Sequence, residues 1–366
     1  MVEPRIQKLA ELAVGYSLEV KPGENVGIQT CTIAEPLALN LYAGVLRAGA
    51  YPRMMIALDD QEEVFFSIAS DEQLEYVSPF TEFEVKNLDR IITILSSSNL
   101  KALSGVDPAR MARRNTAQAR IMSLFVERFV SNGRYLALPF PTKAMAQEAG
   151  MGFIDYEDFV YTACGLNRDD PVEYWRNKSK EQERLVGILN GIEEFRVLGE
   201  DTDLTLSTKG RTWENCDGHM NMPDGEVCTS PVEKSVEGRI RFTYPGIFQG
   251  KEIEDISLTF RGGEVVESSA SKGEDLLKSM LQVDEGSRRV GEFAIGTNDD
   301  ITRFTKEMLF DEKLGHTIHM ALGSALPSSG GENQSGIHWD ILKDMSDGGK
   351  IYGGGKLIYE EGKFLI

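Results

Sequence analysis

Residues 90–95 have the sequence Arg-Ile-Ile-Thr-Ile-Leu, an apolar run of the length of one buried β-strand. Three more runs of this kind are predicted as strands, at residues 26–29, 51–58 and 135–139. Around them, apolar residues at helical spacing predict amphipathic helices over residues 5–18, 35–50 and 111–130. Because helices alternate with short apolar strands, the first half is predicted to be an α/β domain with a parallel sheet.

The second half of the chain has a different pattern. A charged segment at 170–190 predicts a helical connection, and we place a domain boundary near residue 185. Short candidate strands then follow at residues 203–207, 238–244, 256–260 and 264–268. The Arg-Gly-Gly turn at 261–263 predicts a hairpin between the last two strands. The predicted fold is therefore α/β, with a parallel-sheet domain over residues 1–185 and an α+β domain with a mixed sheet over residues 186–366.

Composition excludes several classes of protein. The chain has 366 residues, 41% of them hydrophobic, and 58 acidic against 39 basic residues give a net charge of −19. Such an acidic surface repels nucleic acid and anionic lipid, so neither is an expected partner. No run of about 18 apolar residues predicts a membrane helix. The first residues lack the apolar stretch of a secretory signal, so the expected location is the cytoplasm.

Motifs for nucleotides and for disulfides are missing from the sequence. No Gly-x-Gly-x-x-Gly follows the first strand, and no P-loop lysine motif occurs, so the first half is interpreted as a scaffold or lid. The four cysteines lie far apart along the chain without Cys-x-x-Cys spacing. Neither a disulfide framework nor a structural zinc knuckle is therefore expected.

Histidines are scarce and clustered near the C-terminus. Only four are present, and three of them, His316, His319 and His338, fall within 23 residues. His338 forms a His-x-Asp pair with Asp340. On an extended segment both side chains point to one face, which suits two ligands of one divalent ion. Taken alone, the pair is equally compatible with a hydrogen-bonded pair in a core.

Two glutamates also lie in unusual surroundings. Glu226 follows a Pro-Asp-Gly turn, and Glu292 lies among small and apolar residues, where a carboxylate is costly to bury unless it is paired or bound to metal. Glutamates of this kind are nonetheless often exposed. With His319, His338 and Asp340 they form a nitrogen and oxygen donor set suited to Zn²⁺, Mn²⁺ or Co²⁺.

This donor set could hold two ions with one carboxylate shared between them. Such a pair generates hydroxide near neutral pH and stabilises a tetrahedral intermediate. One of the ions could also bind the free amino group of a peptide.

At these residues the sequence resembles the M29 family of metallo-aminopeptidases, of the thermophilic aminopeptidase T type. The resemblance runs through nearly the whole chain. Its strongest stretches are Met-Pro-Asp-Gly-Glu-Val at 222–227, Gly-Glu-Phe-Ala-Ile-Gly-Thr-Asn at 291–298, Phe-Asp-Glu-Lys at 310–313, His-Met-Ala-Leu-Gly at 319–323 and Gly-Gly-Glu-Asn-Gln-Ser-Gly-Ile-His-Trp-Asp at 330–340. Several separate motifs in the right order make the match specific.

The resemblance implies a function and a set of site residues. It implies hydrolysis of the N-terminal residue of short peptides by a homodimer, in which the N-terminal domain narrows access to a catalytic C-terminal domain. It implies two divalent metal ions (Zn, Co or Mn) held by Glu226, Glu292, His319, His338 and Asp340. His316 is then a neighbour of the site, and His219 is interpreted as a surface or substrate-cleft residue.

One position departs from the family pattern. The family usually has an active-site tyrosine seven residues after the equivalent of His319, and this chain has Leu326 there. The resemblance therefore leaves one hydrogen-bond donor without a counterpart, which typically costs on the order of 10²–10³ in turnover where the donor acts in the transition state. Ser324 and Tyr244 are candidate replacements.

Two alternatives stay open from the sequence. The same scaffold also hosts a mononuclear iron dioxygenase that cleaves a dihydroxypyridine ring, and His319, His338 and Asp340 would suit its iron. Retention of Glu226 and Glu292 favours two metals instead. The second alternative, suggested by Leu326, is a metal-binding homologue with weak peptidase activity.

Overall fold

The structure is a computed structural model that describes residues 3–248 and 250–366. The chain divides into two compact units. The first comprises residues 3–174 together with Gly218–Pro223, and the second comprises Trp175–Asp217 and Asp224–Ile366. The boundary predicted near residue 185 falls inside the helix Pro171–Leu189, whose first turn belongs to the first unit. The roles predicted for the two domains stay predictions.

The first unit is built on a four-stranded parallel sheet. Its strands are β1 (Asn25–Cys31), β2 (Tyr51–Ala57), β3 (Arg90–Leu95) and β4 (Tyr135–Pro139). They lie in the order β2-β1-β3-β4, and every pairing is parallel. The four predicted strands are therefore confirmed, because apolar runs such as that of β3 are buried.

Helices connect and flank these strands. They are α1 (Pro4–Leu12), α2 (Glu35–Arg47), α3 (Gln61–Ile68), α4 (Asp71–Glu75), α5 (Pro79–Asn87), α6 (Pro108–Phe125), α7 (Lys143–Glu148) and α8 (Phe153–Ala163). The next helix, α9 (Pro171–Leu189), begins in the first unit and lies mainly in the second. The predicted helices at 5–18 and 111–130 each end in a π-helical turn, at Ala13–Ser17 and Val126–Val130. Proline in the first turn of α1, α5 and α6 begins these helices without loss of a hydrogen bond.

The second unit consists mainly of antiparallel sheet. Its elements are β5 (Glu194–Gly199), β6 (Thr202–Ser207), β7 (Glu214–Cys216), β8 (Glu226–Thr229), β9 (Glu237–Arg241), β10 (Gly246–Phe248), β11 (Lys251–Ile253), β12 (Ser257–Arg261), β13 (Glu264–Ser269), α10 (Glu274–Met280), β14 (Val290–Gly296), α11 (Met308–Asp311), β15 (Thr317–Gly323), β16 (His338–Asp344), β17 (Lys350–Gly353), β18 (Lys356–Glu360) and β19 (Lys363–Phe364). An eight-stranded sheet has the order β13-β12-β9-β6-β5-β17-β18-β19, and a five-stranded sheet has the order β16-β15-β14-β8-β7.

The pairing of these strands corrects one prediction and confirms another. All pairings between the named strands of both sheets are antiparallel, so the predicted mixed sheet is wrong, although the α/β plus α+β fold class is confirmed. The predicted hairpin is present between β12 and β13. Gly262 and Gly263 have φ of 58° and 78°, which the primed turns of two-residue hairpins require.

The core of the second unit fixes the orientation of the five-stranded sheet. Alternate residues of β14, β15 and β16 belong to one hydrophobic cluster: Phe293, Ile295, Ile318, Met320, Leu322, Trp339 and Ile341. A slip of one residue would move this whole set out of the core, so the register is strongly specified. The residues between them must therefore point to the opposite face.

Residues 3–248 and 250–366 contain no helix that combines the length and the apolar character needed to cross a membrane.

Candidate metal centre

The five predicted ligands share the face of the five-stranded sheet that lies opposite the hydrophobic core. Directly paired residues of adjacent strands share a face, as do residues two apart along one strand. The relevant pairs are Glu226 with Gly296, Ala294 with His319, Glu292 with Ala321, Ala321 with Asp340, and Gly323 with His338. The register therefore brings together five side chains that lie up to 114 residues apart along the chain, from 226 to 340.

Small side chains leave space among these residues. Ala294 and Ala321 are fully buried and occupy the positions of β14 and β15 that lie between candidate ligands. A larger side chain at either position would stand among the carboxylates and histidines. Glycine is required at positions 296 and 323 of the same face for a different reason. An added Cβ at Gly296 or Gly323 would lie 2.1 Å from a backbone oxygen.

Glu226 is positioned by contacts between its loop and the end of β14. Gly225 has φ of +118°, and a Cβ there would lie 2.8 Å from the Cβ of Asn298, so glycine is required. The buried Asn298 amide donates to the carbonyl of Asp224 at 2.7 Å. The Thr297 amide donates to the Gly225 carbonyl at 2.9 Å. The two strongest sequence motifs thus hold each other in place.

His338 is oriented by a backbone carbonyl. Its Nδ1–H donates to the carbonyl oxygen of Ser324 at 2.8 Å, which leaves Nε2 as the atom that faces the candidate centre. This second contact is typical of histidines that bind metal. The Ser324 hydroxyl donates to the Ser335 carbonyl at 2.7 Å, so its proton already has an acceptor.

The candidate ligands form two groups that share Glu292. One group contains Glu226, Glu292 and His319, and the other contains Glu292, His338 and Asp340, with the ligand atoms of each group within 4.8 Å of one another. His319 Nε2 lies 3.4 Å from Glu226 Oε2 and 3.6 Å from Glu292 Oε1. His338 Nε2 lies 3.1 Å from Glu292 Oε2 and 3.5 Å from Asp340 Oδ2. The two oxygens of Glu292 thus face different histidines.

These separations fit donor atoms around a cation. Nitrogen and oxygen atoms bound at about 2.1 Å to one tetrahedral ion lie about 3.4 Å apart. In the described part of the chain, Glu226 Oε2, Asp340 Oδ1 and both ring nitrogens of His319 are buried without a hydrogen-bond partner. Buried polar atoms without partners are costly, and a divalent ion bound among these side chains would satisfy His319 Nε2 and Glu226 Oε2. The residues present therefore fit the metal that their chemistry implies.

The electrostatics of the cluster reflect close packing of unlike charges. Burial lowers the pKa of both histidines, but the neighbouring carboxylates outweigh it and raise the pKa of His319 to about 9 and of His338 to about 10. Burial opposes the shift at Glu292, whereas the close contacts with His319 and His338 hold its pKa well below the usual range. Burial raises the pKa of Asp340 to about 7 and also raises the pKa of Glu226. Without a cation, protons would neutralise part of this cluster.

Two further residues, Lys313 and Glu312, lie beside the candidate ligands, and neither has a role that the sequence predicts. Lys313 is 1% exposed, and its Nζ lies 3.2 Å from Glu226 Oε1 and also contacts Glu312. Burial opposes the charge of Lys313, yet Glu226 and Glu312 raise its pKa well above the usual value. The Glu312 carboxylate also contributes to the raised pKa of Glu226 and Asp340. Both residues lie in the Phe-Asp-Glu-Lys stretch, which was the only signal available.

The remaining histidines lie elsewhere. His316 has φ of 65°, its Nδ1 is 2.9 Å from the Gly362 carbonyl, and its Nε2 is 3.6 Å from Asp299, so it is outside the cluster. His219 is half-buried in the first unit, where its ring lies 4.6 Å from that of Tyr16.

The position of the family tyrosine has its own hydrogen bonds. Leu326 is half-buried, and its backbone amide donates to the Ser230 hydroxyl at 2.9 Å. Tyr244, a candidate replacement donor, stacks on Phe304 with ring centroids 5.0 Å apart. Burial, with a smaller effect of two aspartates outside the five candidate ligands, raises the pKa of Tyr244 to about 12, so its phenol stays protonated at neutral pH.

A two-unit α/β chain with three buried carboxylates and two histidines, of which only His319 is buried, on one sheet face defines a candidate metalloenzyme. The family model described as thermophilic metalloprotease (M29) matches residues 2–364, and the chain therefore belongs to the M29 metalloprotease family. It is accordingly a metal-dependent peptidase, and both the predicted family and the predicted class of enzyme are confirmed. Membership implies a divalent metal.

Individual relatives agree with this assignment. The chain is 26% identical to Aminopeptidase 2 from Geobacillus stearothermophilus, over 94% of this chain and 93% of that protein. It is 31% identical to Aminopeptidase T from Thermus aquaticus, over 63% of this chain and 62% of that protein.

Two solved structures share the fold. Wild-type AmpT from Thermus thermophilus matches over the full length of both chains with a TM-score of 0.88 at 24% identity. The 2,5-dihydroxypyridine dioxygenase from Pseudomonas putida KT2440 covers 98% of this chain and 96% of its own, with a TM-score of 0.62 at 12% identity. At such identities the likeness shows the fold alone, and it confirms that the scaffold is shared with a dioxygenase.

Proposed function

We propose that this chain is an aminopeptidase that removes the N-terminal residue from short peptides with two divalent metal ions. The observation that carries this proposal is the position of Glu292. Its Oε1 faces His319 at 3.6 Å and its Oε2 faces His338 at 3.1 Å, so one carboxylate serves two ligand groups. Relatives that match over most of their length are named aminopeptidases, which supports cleavage at the N-terminal end of the peptide.

Each proposed ion has three protein ligands. Glu226 and His319 would hold one ion, His338 and Asp340 the other, and Glu292 would bridge them. When bound, such a pair of ions lowers the pKa of water and polarises the scissile carbonyl. Three protein ligands for each ion leave coordination positions open for water and substrate, as catalytic sites require.

Two residues outside the ligand groups would have supporting roles: one would position a ligand and the other would transfer protons. Lys313 holds Glu226 through Oε1, which leaves Oε2 directed at His319. We assign Glu312 as the carboxylate that accepts and returns the proton, because its side chain is 20% exposed and near the centre but in neither group. Glu312→Gln should lower kcat while the metal content stays at two ions for each chain.

The proposal is tested by metal analysis together with substrate assays. Protein loaded with Zn²⁺, Mn²⁺ or Co²⁺ should contain two ions for each chain and should hydrolyse leucyl-p-nitroanilide and dipeptides. The matched control is the same substrates with an acetylated N-terminus, which an aminopeptidase should not cleave. No turnover on any peptide with both sites filled would refute the proposal. One iron for each chain with ring-cleaving activity would favour the dioxygenase instead.

Quaternary structure and location belong to the same proposal. We expect a homodimer in the cytoplasm, as the family resemblance implies. Analytical ultracentrifugation of the full chain should give a mass of twice the 40.7 kDa monomer, and a monomer at micromolar concentration would contradict it.

A further inference from the structure

Two of the four cysteines meet beside the candidate metal centre. Cys216 is in β7, the edge strand of the five-stranded sheet, and Cys228 is in the neighbouring β8. Their sulfur atoms lie 3.6 Å apart. Both sulfur atoms and one carboxylate oxygen of Glu226 lie within 4.8 Å of one another. Cys216 and Cys228 are 12 residues apart along the chain, and the pairing of β7 with β8 brings them together in space.

We propose that Cys216, Cys228 and Glu226 form a binding site for a thiophilic divalent cation, next to the candidate metal centre and separate from it. The inference goes beyond the proposed function and shares only Glu226 with it. Thiolate ligands prefer soft cations, whereas the carboxylate and imidazole ligands of the centre are harder donors. The two sites therefore differ in the chemistry of the ion that they select.

The sulfur separation favours a bound ion over a disulfide. Two thiolates bound to tetrahedral Zn²⁺ at about 2.3 Å have sulfur atoms about 3.8 Å apart, close to the observed value. Cys216 is paired with Glu226 and Cys228 with Glu214, so the cysteines are diagonal neighbours. The Cα atoms of diagonal neighbours lie roughly 7–8 Å apart. A disulfide spans about 4.4–6.8 Å, so an ion bridges these sulfurs with less rearrangement.

The backbone around the site is held by a buried side chain. Gln182 Nε2 donates to the carbonyls of Cys216 and Glu226 at 2.9 and 3.0 Å. The Gly225 amide donates to the same Cys216 carbonyl at 3.1 Å. Support of this kind fixes ligands before the ion arrives, which lowers the entropic cost of binding.

The two cysteines differ in their exposure to solvent. Cys216 is half-buried on its edge strand and Cys228 is 3% exposed. Binding of a cation to both sulfur atoms would release the two thiol protons to the solvent.

The test uses Cd²⁺ as the probe, because its bonds to thiolate give an ultraviolet charge-transfer band that carboxylate and imidazole ligands do not give. The full-length protein, with its centre loaded, is titrated with Cd²⁺ and the bound metal is counted. The wild-type protein should show the band, and Cys216→Ser and Cys228→Ser should lose it. For each chain, the wild-type protein should also bind one Cd²⁺ ion more than either variant binds. Cys31→Ser, the matched control for a half-buried cysteine elsewhere, should keep the band.

A second measurement needs no variant. Labelling of wild-type thiols with N-ethylmaleimide, mapped by mass spectrometry, should slow at Cys216 by at least about tenfold when Cd²⁺ is present and stay unchanged at Cys31. Absence of the band in wild type, or equal labelling of Cys216 with and without Cd²⁺, would overturn the inference. A Cys216–Cys228 disulfide in the purified protein would also overturn it. None of these readouts depends on peptide hydrolysis.

Discussion

Substitution of Glu292 by glutamine tests the shared carboxylate most directly. Glutamine has the same shape, but its amide nitrogen cannot bind a cation, so one of the two ligand groups loses an oxygen. Both oxygens of Glu292 are used in the structure, at 3.6 Å from His319 and 3.1 Å from His338. We therefore expect metal content to fall from two ions to one for each chain. Turnover should fall by at least about 10²–10³, as when one preorganised electrostatic group is lost.

The same substitution should destabilise the metal-free protein. The pKa of Glu292 is depressed, so its contribution to stability is present above the ordinary glutamate pKa and is lost as the pH falls through the folded value. At pH 7 the contribution is fully present. Removing one partner of a buried ion pair costs about 3–5 kcal/mol, which for a unit of this size lowers Tm by roughly 6–20 °C.

The assay compares three quantities between wild type and Glu292→Gln: bound metal, kcat on leucyl-p-nitroanilide and the Tm of chelator-treated protein. The control is Glu274→Gln, which changes a half-exposed carboxylate that pairs with Lys278 on α10 at 2.9 Å and should leave all three quantities unchanged. If Glu292→Gln retained two ions for each chain at wild-type affinity, Glu292 would not be the shared ligand and the reasoning from its two oxygens would fail.

Three further outcomes are expected. Leu326→Tyr should raise kcat, by up to about 10²–10³ if the phenol restores the hydrogen-bond donor of the family. Leu326→Phe is the control and should not raise kcat. Equal kcat values for the two variants would show that no phenol is needed. Gly225→Ala should lower the Tm by more than Gly210→Ala does, because both glycines have positive φ but only at Gly225 would the added Cβ lie 2.8 Å from another side chain. Such overpacking typically costs about 1–3 kcal/mol, and calorimetry of the two variants measures the difference. Metal uptake at pH 7.5 should release protons, since the pKa of His319 is about 9 and that of His338 about 10 in the metal-free protein. The metal affinity should therefore rise with pH up to about 10. Titration calorimetry in two buffers of different ionisation enthalpy should give different binding enthalpies, and equal enthalpies would show that the histidines were already neutral.

Local patterns along the chain predicted the four strands of the first unit, a hairpin of the second unit and a set of candidate metal ligands. The apolar run at 90–95 forms β3 as predicted, since a strand of a parallel sheet is buried on both faces and its residues must be apolar. The His-x-Asp spacing of His338 and Asp340 placed both side chains on one face of β16, because the period of a strand is two. The Arg-Gly-Gly turn formed its hairpin, because glycine alone adopts positive φ without strain.

Local patterns were not sufficient for the pairing of distant strands. The mixed sheet predicted for the second half is antiparallel, because strand direction depends on which strands pair, and that is decided by packing between residues far apart in sequence. The same limit hid Lys313, whose charge is buried against Glu226, and the contact of Cys216 with Cys228 across β7 and β8. A lysine and two cysteines without motif spacing give no signal of burial or proximity in the sequence.

The sequence by itself indicated the family, named carboxylate and imidazole side chains as candidate metal ligands, and placed Leu326 where the family usually has a tyrosine. Only the tertiary structure decided how those donors are divided. It directed the two oxygens of Glu292 at different histidines and brought a pair of thiols beside Glu226. The reason is physical: side-chain type is a property of each residue, whereas the distance between donors follows from strand register, which the hydrophobic core on the opposite face of the sheet fixes.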